Sequence, residues 1–217
     1  FAFILGLKLK NNIKINFALL FTTIIISFYI FETYLLISNE KIYYYNSKTK
    51  SEVIYDLNSS GVESYPNIIP SSFLKTNGLT SGNIKIFPLN GISNITTIFD
   101  NELGYYPIIK TDEHGFNNPK GLYSKESLDI VLIGDSCAEG YSVRQDENIG
   151  AFLSKADYTV INLGKAGNGP LLELASLKEY AENLKPKIVL WLYFPNDFMD
   201  LKKGEMSSLF LKNYLNE

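Results

Sequence analysis

The 217-residue sequence is poor in the side chains that most often do chemistry: it holds one histidine, His114, one cysteine, Cys137, and one tryptophan, Trp191. A lone cysteine excludes an intrachain disulfide and any zinc site built from cysteines. A lone histidine means that a mechanism needing an imidazole must use His114 or take one from elsewhere. Excess charge of one sign is missing too. Lys+Arg 20 stand against Asp+Glu 23, a formal net charge of -3, so there is no electrostatic footprint for nucleic acid. Composition excludes disorder, since hydrophobic residues make up 46% and aromatics 14% of the chain, enough apolar surface to offset the entropy of ordering. The sequence opens on Phe1 without a methionine, which suggests processing or an incomplete reading frame.

What is present first is a long apolar run. Residues 17–31 read FALLFTTIIISFYIF, and apolar character resumes at 34–37 after Glu32 and Thr33. A bilayer-spanning helix takes roughly 17–25 mostly apolar residues. Residues 15–37 are therefore expected to span a membrane, with the hydroxyls bonded to their own helix. A buried core helix would keep a polar stripe, and a cleaved signal peptide would end in small residues rather than Tyr34-Leu35-Leu36. Lys8, Lys10 and Lys14 precede the run, while Glu32, Glu40 and Lys41 follow it. The positive-inside bias then puts residues 1–14 in the cytoplasm and the chain after the span outside. The opening FAFILGL is too short to assign, and the three tyrosines Tyr43 to Tyr45 suit a membrane interface or surface packing equally.

Residues 38–100 are rich in Tyr, Asn, Ser and Ile, with turn signals at Asn77-Gly78, Ser81-Gly82 and Asn90-Gly91. Alternation at 83–87 predicts a strand. The region reads as a stalk or small β-rich segment, and the Asn94-Ile95-Thr96 sequon is a glycosylation acceptor only in a suitable secretory pathway.

After about Lys125 the pattern changes. Residues 129–133, 158–163 and 187–194 read as strands, alternating with helices expected at 148–155 and 171–184. Continuous apolar strands alternating with helices predict an α/β unit: a flavodoxin-like parallel sheet, helices on both faces, strands covered on both sides. A closing amphipathic helix is expected around Met206, Leu209, Phe210 and Tyr214. Ligands of such sheets bind beyond the carboxyl ends of the strands. Those ends carry Gly134-Asp135-Ser136, the run Gly164-Lys165-Ala166-Gly167-Asn168-Gly169-Pro170, and Pro195-Asn196-Asp197. A hydroxyl, a loop whose glycine N–H is unobstructed and a side-chain amide are the parts of an acyl-transfer site.

At these residues the sequence resembles the SGNH (GDSL) hydrolase family. Ile133-Gly134-Asp135-Ser136, followed by Gly140, is similar to its first block. Residues 162–167 (NLGKAG) resemble the second, and Phe194-Pro195-Asn196-Asp197 the third. Gly115-Phe116-Asn117-Asn118-Pro119 resembles the lead-in of membrane-anchored bacterial members associated with surface polysaccharides. The likeness covers residues 101–217, as a partial SGNH-like domain. It implies Ser136 as nucleophile, the N–H groups of Ser136 and Gly167 with the Asn196 amide as oxyanion hole, and Asp135 as support of the nucleophile turn. It implies no cofactor and no metal. Pro195 stands where the family usually has glycine, and proline fixes φ and removes an N–H. The family's fourth block, an Asp and a His near the C-terminus, is absent, so the sequence is expected to be C-terminally incomplete. His114 lies in the turn Thr111-Asp112-Glu113-His114-Gly115 and reads as a packing residue. Cys137 reads as a small buried residue behind the nucleophile, and Asp197 and Asp200 as helix caps rather than metal ligands.

The resulting expectation is a membrane-anchored, extracytoplasmic esterase or O-acyltransferase acting on an acyl group, acetyl by analogy, of a cell-envelope glycan. The alternatives are a non-catalytic SGNH-like module that binds or positions glycan, and a flavodoxin-like phosphate or nucleotide binder using the loops after Gly134 and Gly164. The last lacks the G-x-G-x-x-G and P-loop patterns. A sheet of three strands is also expected to leave an exposed edge and a soluble part prone to aggregation.

Overall fold

The computed structural model describes residues 10–38, 48–125 and 127–216; FAFILGL and the three tyrosines Tyr43 to Tyr45 lie outside the described residues. The chain divides into two compact units, Phe1–Tyr44 and Tyr45–Glu217. In the first, helix α1 runs Asn11–Ser38 for 28 residues, roughly 42 Å at 1.5 Å per residue. Its stretch Asn11–Tyr34 is long and apolar enough to cross a membrane, and none of its apolar window is buried. The Thr23 and Thr33 hydroxyls donate to the carbonyls of Leu19 and Tyr29 at 2.8 and 2.7 Å, so these polar groups are satisfied without water. The helix extends past the expected span of 15–37 by four residues at its start and one at its end.

The second unit opens with α2, Lys50–Ser59, started by a capping box: Thr49 Oγ1 accepts from the Glu52 N–H and the Glu52 carboxylate accepts from the Thr49 N–H. Strand β1 (Ser64–Pro66) follows, then a hairpin of β2 (Leu79–Ser81) and β3 (Ile84–Ile86), then β4 (Thr96–Ile98) and β5 (Ile108–Lys110). The strand expected at 83–87 is β3. β4 pairs parallel with β1 and antiparallel with β5. That small sheet runs across residue 100.

The larger unit of alternating elements comprises β6 (Ile130–Ile133), a one-turn helix α3 (Ser136–Glu139), α4 (Ile149–Lys155), β7 (Val160–Asn162), α5 (Pro170–Tyr180) and β8 (Ile188–Trp191). It closes with α6 (Asp197–Lys203) and α7 (Leu209–Lys212). The strands lie in the order β7-β6-β8, both pairings parallel. Val131, Ile133, Ile161 and Leu163 face a core that Leu177 and Tyr180 of α5 cover. On the opposite face the Asn162 amide donates to the Ala138 carbonyl of α3 at 2.5 Å, and Gly150 of α4 packs against the same side chain. The other side of α5 meets a second core of Phe87, Leu89, Leu171, Leu172, Ala175 and Leu211. α5 is thus covered nearly all round, with only Glu179 exposed, because it lies between two cores.

Three expectations change. β6 and β7 are buried along their lengths, but β8 is not: Ile188, Val189 and Trp191 keep 53%, 43% and 45% of their surface exposed. As an outer strand β8 lacks cover, so its apolar run does not mean two buried faces. α5 stops at Tyr180 and gives way to a 3-10 turn over Glu182–Leu184. The closing amphipathic helix is broken, because Ser208 is extended and caps a fresh helix, accepting from the Leu211 N–H at 3.3 Å.

Candidate functional site

The carboxyl ends of β6, β7 and β8 lie together, with Leu132 paired to Asn162 and Leu190 and Ile133 paired to Trp191. From β6 the chain turns at once into α3. Asp135 is the N-cap, its carboxylate accepting from the Cys137 N–H at 2.9 Å, which leaves Ser136 as the first helical residue. The loop after β7 crosses close behind: a Cβ on Gly164 would sit 2.4 Å from the Glu139 backbone nitrogen, so only glycine allows this approach. Gly167 has φ +72 and is exposed. After β8, Pro195 occupies a turn closed by the Asp197 N–H on the Phe194 carbonyl at 3.0 Å, where its fixed φ fits.

Gly167 lies between two engaged backbone donors, and Ser136 is followed by one. The N–H of Cys137 goes to Asp135, that of Ala166 to Glu139 at 2.8 Å, and that of Asn168 to the Lys165 carbonyl at 3.1 Å. Among the described residues the N–H groups of Ser136 and Gly167 have no acceptor, and the Ser136 hydroxyl has no partner. The Asn196 amide donates one hydrogen to the Asp200 carboxylate at 2.9 Å, which fixes its orientation and leaves its second N–H free. A cavity of about 330 Å³ opens beside Ser136, lined also by Glu102, Cys137, Tyr141, Ser142 and Ile149.

A buried network that the sequence did not reveal ties this region together. Lys165 and Glu139 are each 1% exposed and pair at 2.5 Å. The other Glu139 oxygen takes the Ala166 N–H, and Asn67 bonds to both partners, accepting from Lys165 Nζ at 2.8 Å. Such a pair offsets its desolvation only because the remaining lone pairs and protons are used. It couples α3, three residues past Ser136, to the loop carrying Gly167.

Further carboxylates gather below. Glu173 is 1% exposed; one oxygen accepts from Trp191 Nε1 at 2.6 Å and the other is without a partner. Burial pushes its carboxyl up to about 8, against the pull of the Trp191 hydrogen bond and with help from the charges of Asp197, Glu205 and Asp135. Asp197 is fully buried, accepts from the Phe194 N–H at 2.7 Å, and is likewise raised by burial. Glu205 caps α5 from a distance, accepting from the N–H groups of Gly169, Leu171 and Leu172. Among the described residues no group of His, Cys, Asp and Glu side chains could hold a metal ion.

Cys137 is exposed rather than buried, because it points out from the first turn of α3. Partial desolvation and the carboxylates of Asp135 and Asp197 push its thiol up, which disfavours the thiolate that would make it a nucleophile. His114 packs against Tyr123 and Tyr180 at centroid distances of 4.3 and 5.3 Å. Its backbone N–H is held by Asp112 at 2.8 Å.

No family model, no curated protein and no solved structure matches this chain.

Proposed function

We propose that the chain carries the nucleophile and oxyanion half of an SGNH-type serine esterase or O-acyltransferase. It would be anchored by α1 with its N-terminus cytoplasmic and its α/β unit outside, and would act on an acyl group, acetyl by analogy, of a cell-envelope glycan. Ser136 is the nucleophile; the N–H groups of Ser136 and Gly167 and the second N–H of Asn196 receive the negative charge of the tetrahedral intermediate; Asp135 holds the turn. The order β7-β6-β8, with the first strand central, agrees with a flavodoxin-like sheet. The observation that carries the reading is a free donor held in place: among the described residues the Gly167 N–H has no acceptor while the N–H groups on either side of it are engaged, and the Ser136 N–H is free as well. Free donors fixed before reaction are what stabilises an oxyanion without reorganisation.

A second reading, a non-catalytic module that binds or positions glycan, is favoured by one fact: among the described residues no base touches Ser136, and His114 is occupied in an aromatic cluster. A serine hydroxyl without a base is a weak nucleophile. Release of acetate from an O-acetylated polysaccharide by membranes bearing the protein separates the two. The esterase reading expects release that Ser136→Ala abolishes and Asn196→Ala lowers by about 10²–10³-fold. Release equal in wild type and Ser136→Ala would support the module instead.

A further inference from the structure

A second cavity near the sheet is larger than the one beside Ser136. About 580 Å³ in volume, it lies between β5, residues 117–120 and α4, at the outer edge of β7. It shares only Asn148 with the Ser136 cavity, and its size falls within the roughly 300–1,000 Å³ typical of small-ligand sites.

We propose that this cavity binds an anionic saccharide, a sugar unit carrying a carboxylate or a phosphate. Three lysines line it, Lys110, Lys120 and Lys155, against a single acidic residue, Asp146. That local surplus runs against a chain whose net charge is -3. The Asp146 carboxylate is itself approached by Arg144 Nε at 3.9 Å, which weakens its repulsion of an anion. Lys155 is steadied by donating to the Asp146 carbonyl at 2.8 Å. Lys110 and Lys120 are exposed, and among the described residues neither ammonium has an ion pair or hydrogen bond. Two unpaired cations beside one held in place form a receptor for negative charge.

The remaining wall favours a hydroxylated ligand over a bare anion. Asn117 is 5% exposed and lines the cavity. Its amide nitrogen is used on the Glu139 carbonyl at 2.8 Å, while its Oδ1 is buried without a partner. An unsatisfied buried acceptor calls for a donor, and a sugar hydroxyl supplies one where a carboxylate or phosphate dianion cannot. Gln145 is held rigidly across the rim, donating to the Lys110 carbonyl at 2.8 Å. Pro119, Ala151 and Val160 offer apolar surface for the C–H face of a ring.

The test is calorimetric titration of the full chain in detergent micelles with glucuronate and with glucose 6-phosphate, using glucose and inorganic phosphate as controls. The charged sugars are expected to bind saturably. Lys110→Gln and Lys120→Gln should each weaken binding about five- to tenfold, and about 0.5 M salt should weaken it further. Both lysines are exposed, so the melts of these variants should match wild type. Ser136→Ala should bind as wild type does, which keeps failure of the esterase reading separate from failure of this one. The proposal is overturned if neither charged sugar binds, if both lysine variants bind as wild type, or if glucose or inorganic phosphate binds as tightly as the charged sugars.

Discussion

Glu173 sits where a carboxylate is hardest to keep ionised: fully enclosed, one oxygen on an indole N–H, and other carboxylates nearby. Its carboxyl is raised from 4.5 to about 8, so the folded state holds a proton that the unfolded state has released. Stability is therefore fullest below about 4.5, falls as pH rises toward about 8, and levels off above. Burial moves Asp197 and Glu205 in the same direction. Thermal melts should show Glu173→Gln losing less stability than wild type between about pH 5 and 8.5, a relative gain of roughly 1–3 kcal/mol at the upper end; parallel pH profiles would contradict this. The Glu139–Lys165 pair makes a second residue-scale prediction. Lys165→Met strands a buried carboxylate and should cost about 3–5 kcal/mol by denaturant titration, whereas a loss under about 1 kcal/mol would mean water reaches the pair. Neither group was legible in the sequence. Lys165 looked like an ordinary residue of a glycine-rich loop, and its partner Asn67 lies 98 positions away. Ser136, Gly167 and Asn196 could be singled out in the sequence because each lies within five residues of a strand's carboxyl end, although the cavity beside Ser136 is lined by neither of the other two.

Helix α5 shows how elements here depend on distant residues. Its N-cap, Gly169, offers no side chain, and Glu205 supplies the carboxylate from 34 residues beyond Leu171. That carboxylate satisfies orphan N–H groups and meets the positive end of the helix. Glu205→Ala should cost about 2–4 kcal/mol, with Glu205→Gln recovering part of it; equal melts for wild type and Glu205→Ala would show that the cap contributes nothing. Gly164→Ala tests the passage of the β7 loop behind α3. A methyl 2.4 Å from the Glu139 nitrogen must push α3 aside, and Ser136 with it, so the variant should lose both stability and any Ser136 reactivity. The strands β6, β7 and β8 and the helices α4 and α5 were readable from apolar runs, whereas the one-turn α3 was not. The exposure of β8 was not, since a run such as Ile188-Val189-Leu190-Trp191 reports apolarity, and only its neighbours decide whether it is covered.

At the scale of the molecule, an apolar helix and an uncovered sheet edge dominate the behaviour expected in water. Beside Ile188, Val189 and Trp191, the residues Tyr193, Phe194 and Phe198 keep 65%, 49% and 61% of their surface exposed, a contiguous patch of the kind that drives association. The segment from Tyr45 onward is expected to self-associate when prepared alone, and Val189→Lys to suppress it by charging the edge. A monodisperse segment with a cooperative melt would contradict that. Trp191, the sole tryptophan, reports directly: its fluorescence should be open to iodide quenching in dilute protein and shielded as concentration rises. The α/β character and the membrane-length helix were legible in the sequence because both rest on local apolar pattern. The small sheet of β1, β4 and β5 was not, because three-residue strands, two of them paired across more than thirty residues, carry almost no period-2 signal.

The account turns on whether Ser136 is a nucleophile aimed into an oxyanion hole. The most direct measurement is treatment of membranes bearing the protein with a fluorophosphonate, followed by mass mapping of the adduct. The account predicts a single phosphonate adduct on the peptide containing Ser136, absent in Ser136→Ala and much slower to form in Asn196→Ala. An unmodified Ser136 peptide, in membranes whose other serine hydrolases are labelled, would contradict it.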